Sequence, residues 1–474
     1  MAALWLLCCA AVAFAAVAAA KQPAAVERSK RPNIVFVLLD DVRYDDVVDH
    51  PFVRLPNIEK LAAEGASFTN FFTSAPLCSP SRAVFLTGKY PFRNGIIDNG
   101  ERAQQSHELV TFPRLLHAAG YRTGFFGKWH MGHEDDTARP GFDRWVSFVG
   151  QGVYFDPVLN IDGQTVRANG YMTDILTEQA VSFIESSPAD KPFMVFLAHK
   201  ASHPEVYPNQ IRTFPSPAAD RTLYEANELP RAPNWRAPLT GKPALAPPPG
   251  YSDPRSPPGG LPDEIVKGRL RMLSAVDRGV GELRAALEKR GVLENTVFVV
   301  TSDQGFFYGE FGLAQERRLA YEASIRIPLV IRYPGLVKGG SRPGFLVGNV
   351  DIAPTMMDIA GVRVPRGMDG KSMIDTLKDP ATPLRDALLI EYYSDTEFPR
   401  LQGLGYQAIR TNRYKYIRYR ELRGADELYD LNADPYELDN LLPEAAAGPL
   451  KIGLNQQLER LLRSHGSGVD ANRK

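Results

Sequence analysis

Cys78 stands in the run Leu77-Cys78-Ser79-Pro80-Ser81-Arg82, outside the N-terminal apolar stretch that holds the other two cysteines, Cys8 and Cys9. A chain exported behind that stretch keeps one thiol and therefore no internal disulfide. A lone cysteine is commonly a small buried hydrophobe. With Pro80 and Arg82 after it, at the spacing C-x-P-x-R, and a helix-like run from Ala83 to Gly88, it is also a candidate nucleophile. Two acidic pairs offer a second kind of chemistry. Asp40-Asp41 follows the apolar run Ile34 to Leu39, and Asp303-Gln304 follows Val297 to Thr301. Three carboxylates and an amide oxygen form a hard, all-oxygen donor set, suited to calcium or magnesium and not to zinc. Either pair alone could instead cap a helix or turn.

Cationic and titratable groups recur at comparable places. Lys128 and His130 lie in Phe126-Gly127-Lys128-Trp129-His130-Met131-Gly132 and share a side of the chain if it stays extended. Together they could bind an anion or activate a nucleophile. His203, in Lys200-Ala201-Ser202-His203-Pro204, and His199 compete for a role beyond another apolar run, and spacing does not choose between them. Arg317-Arg318 precedes Leu319-Ala320-Tyr321-Glu322. The pair is either solvated or a charge that holds an anionic group and stabilises charge building up in a transition state.

Such groups need a scaffold that gathers them. Asn33 to Leu39 reads as a strand buried on both faces, as in a parallel sheet under helices. Tyr121 to Phe126, Phe193 to Leu197, Thr296 to Thr301 and Leu329 to Arg332 read as further strands, with helices at Pro56 to Glu64, Pro113 to Ala119, Gly170 to Ser186, Ile265 to Arg290 and Asp351 to Ile359. Met272, Leu273, Val276, Val280, Leu283 and Leu287 repeat at helical spacing and predict a core-facing stripe. Pro204 to Pro262 is dense in proline and reads as irregular surface structure. The expected fold class is α/β: a large, mixed, mostly parallel sheet covered by helices on both faces. Past Pro383 the short strands Ala387 to Tyr393, Gln407 to Thr411 and Tyr414 to Tyr419 predict a small antiparallel sheet, followed by a helix from Pro449 to Arg463. The expected division is a leader at 1–20, a catalytic domain at 30–382 and a C-terminal subdomain at 383–474.

The 474 residues carry 55 Lys+Arg and 55 Asp+Glu, so no basic coat for nucleic acid or another polyanion is expected. Leu4 to Ala20 is apolar and ends in Ala18-Ala19-Ala20, which predicts a cleaved signal peptide despite an n-region without Lys or Arg; an uncleaved anchor is the competing reading. No later stretch is long and apolar enough to span a bilayer, and no Asn-x-Ser/Thr sequon occurs.

Taken with the blocks Asn33 to Asp46, Gly127 to Gly132, Lys200 to Pro204, Thr301 to Gly305 and Tyr321 to Pro328, in that order, the Cys78 motif resembles the sulfatase family over nearly the whole chain after the leader. The resemblance implies an alkaline-phosphatase-like fold, hydrolysis of a sulfate ester of a carbohydrate or glycosaminoglycan, and secretion to the exterior or periplasm, or to the lysosome in a eukaryote. It implies that a formylglycine-generating enzyme oxidises Cys78 to an aldehyde, whose hydrate carries one hydroxyl to attack sulfur and another whose proton loss releases sulfate. It implies one calcium ion on Asp40, Asp41, Asp303 and Gln304, touched by the modified Cys78. Arg82 is then expected to support the hydrate, Lys128 and His130 to orient it, and His203 and Arg317 to hold the sulfate. The family usually has Lys where Arg317 stands, and Asn or His where Gln304 stands. Arginine keeps the charge but does not readily give up a proton at neutral pH, so it suits a clamp and not an acid. A phosphodiesterase or phosphonate hydrolase on the same scaffold is an alternative, and an inactive sulfatase-like binding protein a third.

Overall fold

The apolar run Asn33–Leu39 is a strand buried along its whole length, and its neighbours explain why. The computed structural model describes residues 31–100, 102–132, 134–205, 213–246, 259–379, 382–393 and 403–466. In chain order the strands are β1 (Asn33–Leu39), β2 (Ala66–Ser67), β3 (Phe71–Phe72), β4 (Arg122–Gly127), β5 (Arg144–Ser147), β6 (Val158–Ile161), β7 (Gln164–Arg167), β8 (Phe193–Ala198), β9 (Thr296–Ser302), β10 (Leu329–Arg332), β11 (Val347–Gly348), β12 (Ala387–Tyr392), β13 (Tyr406–Thr411), β14 (Tyr414–Tyr419) and β15 (Glu427–Asp430). Among the described residues, nine strands form one sheet in the order β2-β10-β9-β1-β8-β4-β5-β6-β7. Its centre is parallel and its two edges are antiparallel.

Successive side chains of a strand point to opposite faces, and β1 obeys this. Val35, Val37 and Leu39 join the core under the helices Met172–Glu185 and Asp263–Lys289. Ile34, Phe36 and Leu38 join the opposite core, with Phe85, Phe112, Leu116 and Met356. Both faces are covered, so β1 is apolar throughout and lacks the alternation of a half-exposed strand.

Register then fixes the working edge. Leu39 lies beside Ser302, Leu38 beside Ala198, and Gly127 beside Ala198. Four parallel strands therefore end nearly in line, and Asp40, Lys128, His199 and Asp303 are the residues that leave them. Ligands of α/β sheets bind beyond these carboxyl ends.

The helix expected from Ala83 begins earlier, at Cys78, and runs to Thr87 with Gly88 in the left-handed region as its C-cap. Every residue of it is buried, so hydrophobic periodicity could not mark its start. β5, β6 and β7 were not expected from sequence; they are four-residue strands that extend the sheet toward one edge, and β7, the edge strand, is exposed throughout. The leader and parts of Pro204 to Pro262 lie outside the described residues. Elsewhere that proline-rich stretch holds two short 3-10 turns, Ala218–Asp220 and Pro243–Leu245.

β12 to β15 form a four-stranded antiparallel sheet. Leu454, Leu458 and Leu462 of the helix Gly448–Ser464 cover one face, against Leu389, Ile409 and Leu428. The other face, with Ile390, Tyr406 and Tyr429, packs on Leu77, Phe307 and Tyr321. Among the described residues, no helix is long and apolar enough to cross a membrane.

Gly127 ends β4 at φ 117°, and a Cβ there would lie 1.9 Å from the Ala198 carbonyl oxygen. Gly127→Ala should therefore force β4 from β8 and carry Lys128 with it. We expect a loss of about 2–4 kcal/mol in urea unfolding, the range of a strained backbone position with a core clash, and a fall in activity larger than the loss of folded protein.

Candidate active site

Parallel pairing of β1 and β9 brings the two acidic pairs together. Asp41, with φ 61°, donates its backbone N–H to Asp303 Oδ1 at 3.1 Å, and the Gln304 N–H donates to the same oxygen at 2.8 Å. A left-handed conformation is one that aspartate tolerates better than most residues. Oxygens of Asp40, Asp41 and Asp303 lie within 4.8 Å of one another, all buried. Cys78 Sγ is 3.9 Å from Asp40 Oδ1 and 3.2 Å from Gln304 Nε2. Cys78 is the first residue of its helix, so the positive end of the helix dipole faces the cluster.

Cations surround these carboxylates. Arg82 places Nη2 at 3.2 Å from Asp40 Oδ2 and 2.9 Å from Asp303 Oδ2, with Nε at 3.0 Å from the latter and Nη1 on the Lys128 carbonyl at 2.6 Å. Lys128 Nζ donates to Asp40 Oδ2. Arg317 Nη1 is 3.2 Å from Asp41 Oδ2, and its Nη2 is 3.3 Å from His203 Nε2. Arg82 is thus engaged with the carboxylates, and Arg317 stands on the Asp41 and His203 side.

The electrostatics follow from burial. Burial pushes Asp40 up, but Lys128 and Arg82 more than offset it and hold the carboxyl below its ordinary value. Asp303 is pushed up to about 7 by burial and then by Asp40. Burial pushes the Cys78 thiol up to about 11, against the pull of Lys128. As a thiol it keeps its proton at neutral pH and is a poor nucleophile.

The two histidine candidates separate. His203 Nδ1 lies 2.7 Å from the Pro204 carbonyl, an acceptor only, so Nδ1 carries hydrogen and Nε2 is the atom turned toward Arg317 and, at 3.8 Å, Asp41 Oδ2. His199 is fully buried, with Nδ1 unpartnered and its proton affinity lowered to about 3 by burial. His130, at φ 66°, sits over Ser79: the Ser79 hydroxyl donates to the His130 carbonyl at 2.8 Å and meets Nδ1 at 3.2 Å, while Gln151 Nε2 lies 2.9 Å from Nε2. Arg318 is buried, and its carbonyl accepts from Tyr406 OH at 2.9 Å.

The donor set fits a hard cation. Gln304 Oε1 is a buried acceptor without a hydrogen-bond donor, Asp41 Oδ2 meets Arg317 Nη1 as an ion pair at 3.2 Å, and three clustered carboxylates repel one another. Gln304 presents its amide nitrogen to Asp41 Oδ1 at 2.7 Å; rotation of that terminal amide exchanges nitrogen for a ligating oxygen. Arg317 Nε is a buried donor without an acceptor, which suits an oxyanion beside the cation.

Sequence reasoning passed over several supports. Ser81 Oγ donates to the Asp303 carbonyl at 2.6 Å, and Asn99 Oδ1 accepts from the Ser79 N–H at 3.0 Å. Arg269, fully buried, donates to the carbonyls of Asp41 and, at 3.2 Å, Ser202. A signal for it existed: Arg269 interrupts the apolar stripe that continues through Met272, Leu273 and Val276. Gln151 carried none, since it lies between two glycines in an irregular stretch with no periodic pattern.

Comparison with known proteins agrees with this geometry. The sulfatase family model matches residues 32–362, and the model for the C-terminal part of N-sulphoglucosamine sulphohydrolase matches 309–464. An N-acetylglucosamine-6-O-sulfatase of Bacteroides thetaiotaomicron is 33% identical, over 93% of this chain and 88% of its own. The human N-acetylglucosamine-6-sulfatase is 29% identical, over 87% of this chain and 81% of its own. A protein solved in complex with its substrate, D-glucosamine-2-N,6-O-disulfate, superposes with a TM-score of 0.76 at 32% identity, covering 94% of this chain and all of the other. The phosphonate monoester hydrolase of Agrobacterium radiobacter shares the fold, at TM-score 0.71, 21% identity, and 92% and 96% coverage. The chain belongs to the sulfatase family and has its alkaline-phosphatase-like fold and its sulfuric ester hydrolase activity.

Proposed function

We propose that this chain is an exported, calcium-dependent sulfatase that removes sulfate from a carbohydrate, with 6-O-sulfated N-acetylglucosamine units as the substrate class and a formylglycine made from Cys78 by a formylglycine-generating enzyme. The observation that carries the reading is Cys78 at a buried helix start beside three clustered carboxylates, with Arg317 paired to Asp41 and His203 next to them. The sugar and its sulfated position rest on the bacterial and human relatives and on the bound disulfated glucosamine of the solved relative. Export rests on the leader at 1–20. The division into 30–382 and 383–474 belongs to the same proposal, supported by the opening of the C-terminal sheet at Ala387.

Asp40, Asp41, Asp303 and Gln304 would hold the ion. Calcium supplies charge neutralisation at the ester's oxygens, and the hydrated aldehyde supplies a nucleophile with a second hydroxyl, which thiol and serine lack. Arg82 bridges Asp40 and Asp303 and aligns them. Lys128 holds Asp40 beside residue 78, and Ser79 and Gln151 fix the His130 ring above it. Arg317 offers a planar fork to two sulfate oxygens. His203, with hydrogen fixed on Nδ1, exchanges a proton at Nε2, the atom suited to protonate the departing sugar oxygen.

A desulfation screen over defined sulfated saccharides, run beside an aryl sulfate and an aryl phosphate diester, tests the assignment. We expect sulfate release from 6-O-sulfated N-acetylglucosamine and from the aryl sulfate. Preference for the diester would favour the phosphonate or phosphodiester alternative instead. Mass spectrometry of the tryptic peptide carrying residue 78, from a host with the maturation enzyme, should give the aldehyde mass; an intact thiol in fully active protein rejects the nucleophile.

Chelation should abolish turnover and calcium should restore it. Asp303→Ala should bind less than one calcium per chain by elemental analysis while remaining folded, and full activity in metal-free protein would refute the metal role. Arg317→Ala should lower kcat/KM about a hundredfold to a thousandfold, the cost of removing one transition-state donor, and Arg317→Lys should retain much more. A crippled Arg318→Ala beside a normal Arg317→Ala would move the clamp to Arg318.

A further inference from the structure

Arg317 lies on irregular backbone. No helix or strand spans residues 313–321, so no regular ladder sets where its guanidinium points, and other hydrogen bonds must do so. Phe307 exchanges backbone bonds with Gln315 and Glu316, Ser324 Oγ donates to the Arg317 carbonyl, and the C-terminal sheet supplies the next set. Tyr406 OH, on β13, holds the Arg318 carbonyl at 2.9 Å. Tyr321 OH donates to Glu427 of β15, which also accepts from Tyr419 OH at 3.1 Å and Tyr429 OH at 2.5 Å. Glu322 pairs with Arg410 Nε at 3.0 Å and Lys415 Nζ at 3.3 Å, and its N–H donates to Glu437 at 2.9 Å.

Tyr321, Glu427, Lys415 and Glu437 are each 1% exposed or less. Burying a carboxylate with three hydroxyls, and an ammonium between two carboxylates, stabilises a fold little compared with an apolar core of equal volume. Such networks do specify one arrangement over nearby ones. Here the arrangement specified is that of the segment leading from Arg317.

We propose that the C-terminal sheet is the positioning element for the sulfate clamp: Glu427, through Tyr321, and Tyr406, through the Arg318 carbonyl, fix the direction of Arg317. The proposal rests on the reading of Arg317 as the group that holds sulfate. The sheet then contributes to turnover without touching substrate, and Tyr321 and Glu427 are positioning residues.

A double-mutant cycle on the calcium-loaded, matured enzyme tests this with an aryl sulfate as probe. Tyr321→Phe keeps the ring and removes the hydroxyl. We expect kcat/KM to fall about tenfold, within the range of coupling between contacting groups, mostly through KM, with the inhibition constant of inorganic sulfate rising in step. In the Arg317→Gln background the same substitution should cost less than about twofold, because the group it positions is gone. Equal losses in both backgrounds would show a merely structural role and overturn the proposal. An Arg317→Gln enzyme with wild-type kcat/KM would instead overturn the clamp reading itself, and the positioning role with it. If Tyr321→Phe folds poorly, Tyr406→Phe, which releases only the Arg318 carbonyl, carries the same cycle with the same outcomes.

Discussion

Three carboxylates with oxygens inside 4.8 Å of each other, all out of water, set the terms for everything around them. Charges so placed cannot coexist unless cations meet them. Arg82 and Lys128 meet part of that demand, and the net result is uneven: Asp40 is held ionised, whereas Asp303 is pushed toward neutrality. The donor set fits a divalent cation, whose charge would complete the balance and make the place attractive to an anionic ester.

The sheet exists at this point to bring those groups into line. Ending β1, β4, β8 and β9 at one edge gathers side chains more than 250 residues apart in sequence, such as Asp41 and Asp303. The buried helix that starts at Cys78 then closes the cluster from above, and Ser81 and Arg82 on its first turn tie it to Asp303. Cys78, the acids and the basic groups are therefore joined by direct contacts.

Much of this could be read from the chain. Fully buried strands appear as continuous apolar runs, so β1, β8 and β9 and the acids at their ends were visible in sequence. Arg317 was singled out by the resemblance, as the residue standing where the family usually has Lys. Strands β5 to β7 were not visible, because segments of four residues carry no period that exceeds chance. Spacing left His203 and His199 open and the resemblance named His203; in the structure His203 Nε2 lies 3.8 Å from Asp41 Oδ2, while His199 Nδ1 has no hydrogen-bond partner. Gln151, Arg269 and the tyrosine cage of Glu427 act through long-range contacts that leave little trace in local pattern.

The central claim is that the carboxylate cluster is a calcium site built for a sulfate ester. A crystal structure of the matured protein grown with calcium, with anomalous data, tests it most directly. The account predicts one ion bonded at about 2.4 Å to oxygens of Asp40, Asp41, Asp303 and Gln304. At saturating calcium, a cluster bridged only by Arg82 and Lys128, with no ion among the carboxylates, would contradict it.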